Sequence, residues 1–372
     1  MVKSLRKRCV RPCASFSVFV HMPWSPQLNL GSLLQPPPGV TLANRPEEAC
    51  LIMVPVNRPA NSFYPKWTVA ANIPLQNMSS LPGWNGGVNH VLLNLHDQPL
   101  DRREKHLGCA MVAQSHADQN KHALGFDISM PLLSWNQPAD STADRPRRDA
   151  QFAQLQQLAI VPPMARAYFI SFKGQQYYGR QFGREGFQRA YLSQLQSKAN
   201  RTKPNEVLVA LRCGSKEYSE HQEHCDRLQQ RFDASPDYAQ VFNTTLALAP
   251  LGVSPASFRL HEILAAGAIP VFFSGELYTG SPYIPPFEDV IPWSELSFHF
   301  PDSPSSARSL VSRLESIHDS KLIKMHELVN TIHTRHFSTE LRSRQTFYQI
   351  LQSRVSSVSR ETKGRSKEKK LG

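Results

Sequence analysis

Short apolar runs, separated by turns rich in glycine and proline, recur along the whole chain. Runs of this length that are apolar at nearly every position are typical of strands that a parallel sheet buries on both faces. The runs predict strands at 16–20, 49–56, 88–95, 127–133, 167–172, 207–211, 245–248 and 269–273. The run at 88–95 also fits a short helix.

Two segments have the spacing of helices. Residues 257–266 end at Gly267, a residue type that commonly terminates helices. A long amphipathic region follows at 306–336, where Leu310 and Leu314 lie on one apolar stripe.

Strands that alternate with helices and loops predict an α/β fold with two Rossmann-like lobes and a cleft between them. The polar stretch 138–150 is predicted to be a linker, and the loop 174–186 to lead into a further helix. We predict four parts: a basic N-terminal segment (1–15), an N-terminal lobe (16–160), a C-terminal lobe (161–337), and a C-terminal helix with a basic tail (338–372).

The formal net charge of +12 is concentrated at the two ends of the chain. The first thirteen residues contain five basic residues and no acidic one, and the last thirteen contain six basic and two acidic residues. A nucleic-acid-binding protein usually concentrates its charge on a folded face or helix. We therefore expect solvated basic tails and no nucleic-acid partner, with adhesion to an anionic polymer or lipid as the alternative.

No apolar run approaches the ~20 residues that a membrane-spanning helix needs. The apolar stretch at 14–20 is cut off by His21 and Pro23, so no signal peptide is predicted in this sequence.

The six cysteines contain no CxxC pair. Cys9 and Cys13 have a zinc-like spacing without a second ligand pair nearby, which argues against a zinc site. Cys213 and Cys225 flank a polar loop and either form a disulfide or remain separate thiols. Three N-x-S/T sequons, at Asn77, Asn200 and Asn243, favour a secretory compartment.

The segment from Leu248 to Glu262 has the pattern of a strand end, a loop and a helix start. The first amides of a helix lack partners within it and the helix dipole is positive there, so this junction suits a phosphate. Ser254 and Ser257 add hydroxyl donors, and Arg259 adds a cation for a diphosphate. Glu262 lies one turn later and can accept hydrogen bonds from ribose hydroxyls. The alternative is a serine cap with a stabilising Arg–Glu pair.

Several metal-binding and catalytic motifs are absent from the sequence, and this argues against the enzyme classes that depend on them. The sequence has no Asp-x-Asp pair to cage Mn²⁺ or Mg²⁺ beside a diphosphate, so we expect no metal and no other cofactor. It also lacks GxGxxG, GxxxxGK[ST], HExxH and GxSxG, which argues against a dehydrogenase, a P-loop enzyme, a zincin and a serine hydrolase.

Taken in order, several segments resemble the exostosin glycosyltransferases (glycosyltransferase family 47), from about residue 16 to about residue 337. The resemblance is carried by 44–55, 81–90, 125–131, 172–174, 248–271 and 287–293. The stretches Phe126-Asp-Ile-Ser-Met-Pro131 and Cys225-Asp-Arg look closest to the heparan-sulfate exostosins, in a single-domain form.

This resemblance implies a GT-B type fold, with an acceptor-side N-terminal lobe and a nucleotide-sugar-binding C-terminal lobe. It implies inverting transfer of a sugar, best matched by glucuronic acid, from a UDP-sugar to a polysaccharide or glycoprotein glycan, without a bound metal. It also implies a Golgi or endoplasmic reticulum location and a hetero-complex with another exostosin-like subunit.

Two sets of site residues follow from the motif and the resemblance together. Donor-binding candidates are Lys173, Gly174, Arg189, Gly252, Ser254, Ser257, Arg259 and Glu262. His90 and Asp127 are candidates for the general base, and a hydrogen-bonded structural histidine is the alternative for His90.

The sequence also departs from the family pattern. Leu251 stands where an arginine is common, Ala268 stands where a cysteine is common, and a second catalytic domain and the N-terminal anchor are not found in this sequence. These departures leave a non-catalytic exostosin-like subunit or glycan-binding module as the alternative function.

Overall fold

In the computed structural model, two parallel sheets flanked by helices form the body of the protein. The structure describes residues 2–11, 13, 15–21, 36–57, 73–81, 83–94, 100–115, 117–132, 144–176, 207–213, 219, 221–250, 256–274, 283–301 and 304–368. This two-lobed α/β arrangement confirms the predicted fold class.

The first sheet contains seven strands. These are β1 (Ser17–Val20), β2 (Thr41–Leu42), β3 (Leu51–Asn57), β4 (Ile73–Pro74), β5 (His90–Asn94), β6 (Met111–Gln114) and β7 (Ile128–Ser129). Their order is β2-β1-β3-β5-β6-β7, with β4 beside β3, and every pairing is parallel. All residues of β5 and β6 are buried, as expected for central strands covered on both faces.

The second sheet contains five strands. These are β8 (Tyr168–Gln176), β9 (Val207–Cys213), β10 (Thr244–Ala249), β11 (Ile269–Ser274) and β12 (Phe298–Pro301). Their order is β12-β11-β10-β8-β9, again with parallel pairing.

The predicted strands coincide with observed ones, although some differ in extent. The run 88–95 forms a strand and not a helix, and 127–133 contains only the two strand residues of β7. The patterns missed β2, β4, β6 and β12 because these strands are very short or lie in mixed polar sequence.

Eight helices of the described residues cover the sheets or link them. They are α1 (Val2–Cys9), α2 (Asp144–Leu158), α3 (Gln222–Ala234), α4 (Arg259–Ala265), α5 (Trp293–Leu296), α6 (Pro304–Glu315), α7 (Asp319–Ile332) and α8 (Glu340–Glu368). None of the helices in the described ranges combines the length and apolar character that a bilayer crossing requires.

Two helix predictions need correction. The amphipathic region 306–336 is divided between α6 and α7, and Leu310 and Leu314 of α6 are fully buried as the stripe predicted. The predicted linker 138–150 is wrong over its last residues, because α2 begins at Asp144. Pro146 lies in the first turn of that helix, where a proline has no intrahelical bond to lose.

The basic N-terminal segment is folded onto the first lobe and is not a free tail, although its described arginines, Arg8 and Arg11, are exposed as expected. Helix α1 is tied to the first lobe by a disulfide between Cys9 and Cys109, and a second disulfide joins Cys13 to Cys50. Neither bridge was predicted, because the paired cysteines lie 100 and 37 residues apart in the chain. Of the two alternatives for Cys213 and Cys225, the disulfide is the one present, and it joins the end of β9 to α3.

Helix α8 packs against the first sheet although it follows the second sheet in the chain. Phe347, Tyr348 and Leu351 of this helix are buried, and the hydroxyl of Tyr348 donates to Sδ of Met53 in β3 at 3.3 Å. The core cluster that contains these side chains also includes residues of both lobes. One continuous apolar core therefore joins the lobes.

Arg166, just before β8, joins several backbone segments of the second lobe. Its guanidinium donates at 2.9 to 3.3 Å to the carbonyl oxygens of Leu158, Val161, Phe242, Thr244, Ala266 and Gly267. Burial lowers the pKa of Arg166 to about 10. A cation at the end of α4 also complements the negative end of the helix dipole. Gly267 follows with φ of 64°, a left-handed conformation that ends the helix at the predicted residue.

Candidate functional site

The carboxyl ends of β8 and β10 bring five of the predicted donor-binding residues into one region. Lys173 and Gly174 lie in the second half of β8, while the chain that leaves β10 returns with Ser257 before α4 and with Arg259 and Glu262 on it. Ligands of open parallel sheets bind beyond the carboxyl ends of the strands. Arg189, Gly252 and Ser254 lie outside the described residues.

The guanidinium of Arg259 lies among three aromatic rings. Its central carbon is 4.6 Å from the ring centre of Phe172, 5.6 Å from that of Tyr238 and 5.7 Å from that of Phe242. Its Nη2 donates to the carbonyl oxygen of Lys173, whereas Nε and Nη1 make no hydrogen bond to a described residue. Aromatic faces hold a cation without neutralising it, so this arginine is fixed and still charged.

Glu262 and Tyr238 form a polar pair beside that cation. The hydroxyl of Tyr238 donates to Oε2 of Glu262 at 2.8 Å. Burial raises the pKa of Glu262, and the nearby Arg259 together with the Tyr238 hydrogen bond opposes this rise. No ion pair joins Arg259 to Glu262 among the described residues, so the two side chains do not form the expected stabilising brace.

The start of α4 differs from the prediction. The helix begins at Arg259 and not at Ser257, and the Ser257 hydroxyl accepts a hydrogen bond from the Arg259 amide at 3.3 Å. The amides of Leu260 and His261 are bonded to the carbonyl oxygens of Ser257 and Phe258, at 3.2 and 3.1 Å. These three amides are therefore not free for a phosphate, because the turn before the helix already satisfies them.

Lys173 and Gly174 support the site in different ways. The Lys173 ammonium donates to the carbonyl oxygen of Pro236 at 2.8 Å and lies 4.5 Å from the ring centre of Phe232. Burial lowers the pKa of Lys173. A Cβ on Gly174 would lie 2.9 Å from Cζ of Phe172 and 3.3 Å from Nη2 of Arg259. A side chain at this glycine would therefore displace the ring or the guanidinium.

Asp127 lies inside the first lobe and does not face a cleft. Its carboxylate pairs with Arg102 and accepts hydrogen bonds from the amides of Val112 and Ala123, both at 2.8 Å. Its side chain is 1% exposed. Both carboxylate oxygens are engaged by these donors, and an acceptor hydroxyl cannot reach them at this depth. This geometry indicates a structural ion pair and argues against the assignment as a base.

His90 is the first residue of β5 and lies at the amino edge of the first sheet. Its Nδ1–H donates to the Val88 carbonyl at 2.9 Å, its ring contacts the edge of Trp84, and burial lowers its pKa. Ligands bind at the opposite edge of such a sheet. The structural alternative therefore suits His90 better than a role in proton transfer.

At the carboxyl edge of the first sheet, residues 117–122 meet residues 283–289 of the second lobe, and we call this contact the interlobe seam. The amide of Ile284 donates to the Ala117 carbonyl at 3.1 Å. His122 Nε2 lies 3.6 Å from Oε1 of Glu288, and neither side chain has a hydrogen-bond partner among the described residues. Oδ2 of Asp118 is likewise buried without a hydrogen bond in this part of the chain. The seam therefore brings His122 and Glu288 together, whereas Asp118 lies 3.8 Å from the Lys121 ammonium.

The family model of the Exostosin GT47 domain matches residues 14–317, which include both sheets and the site around Arg259. The chain belongs to the exostosin family. The family resemblance of the sequence motifs is thereby confirmed.

The chain is similar in sequence to curated exostosins. It is 26% identical over 319 residues to Exostosin-1 of Mus musculus, and the alignment covers 83% of this chain and 38% of the relative. It is 24% identical over 259 residues to the Exostosin-1 homolog of Caenorhabditis elegans, covering 68% and 61% respectively. The chain thus spans about two fifths of the length of the mouse relative.

Solved glycosyltransferases have a distantly similar structure. A glycosyltransferase from Rickettsia africae has a TM-score of 0.39 and 11% identity, covering 91% of this chain and 98% of its own. WaaG, a glycosyltransferase involved in lipopolysaccharide biosynthesis, has a TM-score of 0.34 and 13% identity, covering 89% and 98%.

In this exostosin-family chain, sequence reasoning missed Tyr238 and the seam residues. Tyr238 lies between α3 and a short 3-10 helix at Gln240–Phe242, outside every family segment that the sequence analysis used. Residues that follow β8 and β10 are predicted to lie close together. An aromatic residue in the loop between α3 and the 3-10 helix was therefore the available signal for Tyr238. His122 and Glu288 are 166 positions apart, and no local pattern connects them.

Proposed function

We propose that this exostosin-family chain is an inverting glycosyltransferase that uses a UDP-sugar, with glucuronic acid as the transferred sugar. The arrangement of Arg259 and Glu262 at the carboxyl edge of the second sheet carries the proposal. A diphosphate binds the free donors of the Arg259 guanidinium, and the ribose binds Glu262. The acceptor is a polysaccharide or a glycoprotein glycan, held on the side of the first lobe.

In the proposed reaction an acceptor hydroxyl attacks the anomeric carbon while the bond from that carbon to the diphosphate breaks and UDP leaves. Negative charge grows on the leaving diphosphate, and a fixed cation such as Arg259 stabilises that charge without reorganisation. The proton of the attacking hydroxyl goes to a base on the first-lobe side. Asp127 and His90 do not suit that task, and the polar atoms of His122 and Glu288 in the interlobe seam are buried as well, so we assign no base among the described residues.

We further propose that the reaction needs no metal. The lack of an Asp-x-Asp pair in the sequence supports the metal-free proposal. The described residues also contain no group of three or more His, Cys, Asp or Glu side chains that could hold a metal ion. Sugar transfer measured in EDTA should remain within about twofold of the untreated rate. Activity lost in EDTA and recovered with Mn²⁺ would contradict the metal-free mechanism.

The test of the proposed function is nucleotide binding followed by sugar transfer. Calorimetry should detect UDP binding to the protein, and a screen of UDP-sugars by UDP release should identify the donor. If UDP does not bind, with or without a divalent cation, the enzyme proposal fails and a non-catalytic subunit or glycan-binding module replaces it. The same screen in the presence of another exostosin-like chain tests the proposed hetero-complex.

For location we propose the secretory pathway, in the Golgi or endoplasmic reticulum. All six cysteines are in disulfides, which form in oxidising compartments. Asn77 of the sequon Asn-Met-Ser is exposed. Asn243 is partly buried and its side-chain oxygen Oδ1 is shielded from solvent, whereas Asn200 lies outside the described residues. An amidase that removes N-glycans should lower the mass of secreted protein, and Asn77→Gln should remove one glycan. A secreted Asn77→Gln protein with unchanged glycan mass would exclude Asn77 as an acceptor.

A further inference from the structure

The loop that carries Tyr238 is anchored to β8 at two points. Lys173 donates to the Pro236 carbonyl at 2.8 Å, and the Ser171 hydroxyl donates to the Val241 carbonyl at 2.6 Å. Residues 236–241 are thus held along the strand whose carboxyl half borders the candidate donor site. A side chain in this loop has a fixed position relative to α4.

Within the loop, Tyr238 makes three contacts that define its orientation. Its ring packs edge-on against Phe242 with ring centres 5.4 Å apart, and it lies 5.6 Å from the guanidinium carbon of Arg259. Its hydroxyl donates to Oε2 of Glu262 at 2.8 Å. One side chain therefore touches both charged groups of the site.

The hydrogen bond from Tyr238 makes the two oxygens of the Glu262 carboxylate different in their hydrogen bonding. Oε2 is occupied, whereas Oε1 makes no hydrogen bond to a described residue. A carboxylate oxygen only accepts hydrogen bonds, so a ligand group that satisfies Oε1 has to donate. A sugar diol donates, whereas a phosphate would repel the carboxylate.

We propose that Tyr238 is a positioning residue that holds Glu262 so that its free oxygen selects a nucleotide with an intact ribose diol. The inference rests on the proposed function, since it concerns the donor of that same site. Tyr238 itself does not contact the ribose. It fixes the rotamer of Glu262, so that the carboxylate does not have to be ordered when the nucleotide binds.

The test compares binding of UDP and 2′-deoxy-UDP by calorimetry. The wild-type protein should prefer UDP, because the deoxy nucleotide lacks one donor for Glu262. Tyr238→Phe should weaken UDP binding by about tenfold, the usual scale for losing a hydrogen bond to a charged group. It should change 2′-deoxy-UDP binding by less than about twofold, so that the preference for UDP shrinks.

Tyr168→Phe is the matched control, since Tyr168 lies at the opposite end of β8 and the same hydroxyl is removed. It should keep both affinities. If Tyr238→Phe weakens both nucleotides equally, or leaves the preference unchanged, the positioning role is wrong. If the wild-type protein binds neither nucleotide, the proposed function itself fails.

A second variant covers the case in which Tyr238→Phe does not fold. Glu262→Ala removes the carboxylate and should abolish the preference for UDP over 2′-deoxy-UDP, and adding Tyr238→Phe in that background should have no further effect. A preference that survives in Glu262→Ala would overturn the proposal directly.

Discussion

Arg259 combines a fixed position with donors that remain available, and the proposed chemistry depends on both. We expect Arg259→Ala to lower kcat by about 10²-fold or more, the usual cost of one preorganised donor to a transition-state anion. KM should change less than kcat, because charge on the diphosphate grows as the bond breaks. Steady-state kinetics with a UDP-sugar donor would measure both constants.

Two further variants serve as controls for the Arg259→Ala measurement. Arg227→Ala changes the same residue type at an exposed position on α3 and should leave the kinetics unchanged. Arg259→Lys keeps the charge but loses the forked donors, so it should recover only part of the rate. If Arg259→Ala lowers the melting temperature while the soluble fraction keeps its normal kcat, Arg259 is a structural brace.

The sequence could predict Arg259 and Glu262 because both follow one strand, loop and helix pattern. It also contained the information against His90 and Asp127. The predicted strands 88–95 and 127–133 place these residues at their beginnings, whereas ligands bind beyond the ends of parallel strands. Tyr238 could not be predicted, because its partner lies 24 positions later and meets it only after the second sheet has formed.

At the scale of elements, the π-helical turn His333–Phe337 packs two histidines, His333 and His336, into the core near His261 of α4. Burial lowers the pKa of His333 and His336 to about 4, and lowers that of His261 as well. A histidine of the unfolded chain titrates near 6.5, so between pH 6.5 and 4 the unfolded chain binds protons that the folded protein excludes. The fold is therefore expected to lose about 1.4 kcal/mol per pH unit for each such histidine as the pH falls through this range.

Urea unfolding at pH 7, 6 and 5 would measure this slope. His333→Phe should make it shallower, since a phenyl ring fills the space beside Phe152 without binding a proton. His106→Gln, at an exposed histidine, should leave the slope as in the wild type. Equal slopes in His333→Phe and in the wild type would show that His333 does not couple stability to pH.

The Cys213–Cys225 bridge ties the end of β9 to α3 across a short loop. We expect both sulfurs to resist alkylation in unreduced protein, as mass spectrometry would show. Replacing both cysteines with alanine should lower the free energy of unfolding by about 2–3 kcal/mol, on the chain-entropy model for a loop of this length. Alkylation of both residues without reductant would refute the bridge.

The alternation of short apolar runs was enough to predict eight of the twelve described strands and the two-lobed class. It could not predict the continuity of the core through α8, because the charged and polar residues of that helix make its apolar stripe weak in the sequence. Nor could it predict the two disulfides of α1, since cysteine pairing is a property of the folded arrangement.

For the whole molecule, α8 contributes buried side chains to the core that it shares with the first lobe. Phe347 is completely buried in the shared core, so we expect Phe347→Ala to destabilise the protein by about 3–5 kcal/mol. Leu341→Ala, near the start of the same helix at a residue that is 39% exposed, should cost much less. Denaturant unfolding of the two variants compares them, and similar small losses would mean that α8 contributes little to the first lobe.

The position of α8 at the far end of the chain sets an order for folding during synthesis. Between Ser129, where the first sheet ends, and Phe347, which completes its core, more than two hundred residues are still to be translated. At about 5–20 residues per second, this interval lasts on the order of ten seconds or more. During that time the apolar face that α8 later covers stays exposed on the nascent first lobe, a surface of the kind that chaperones bind, even though the strands of this lobe are made first.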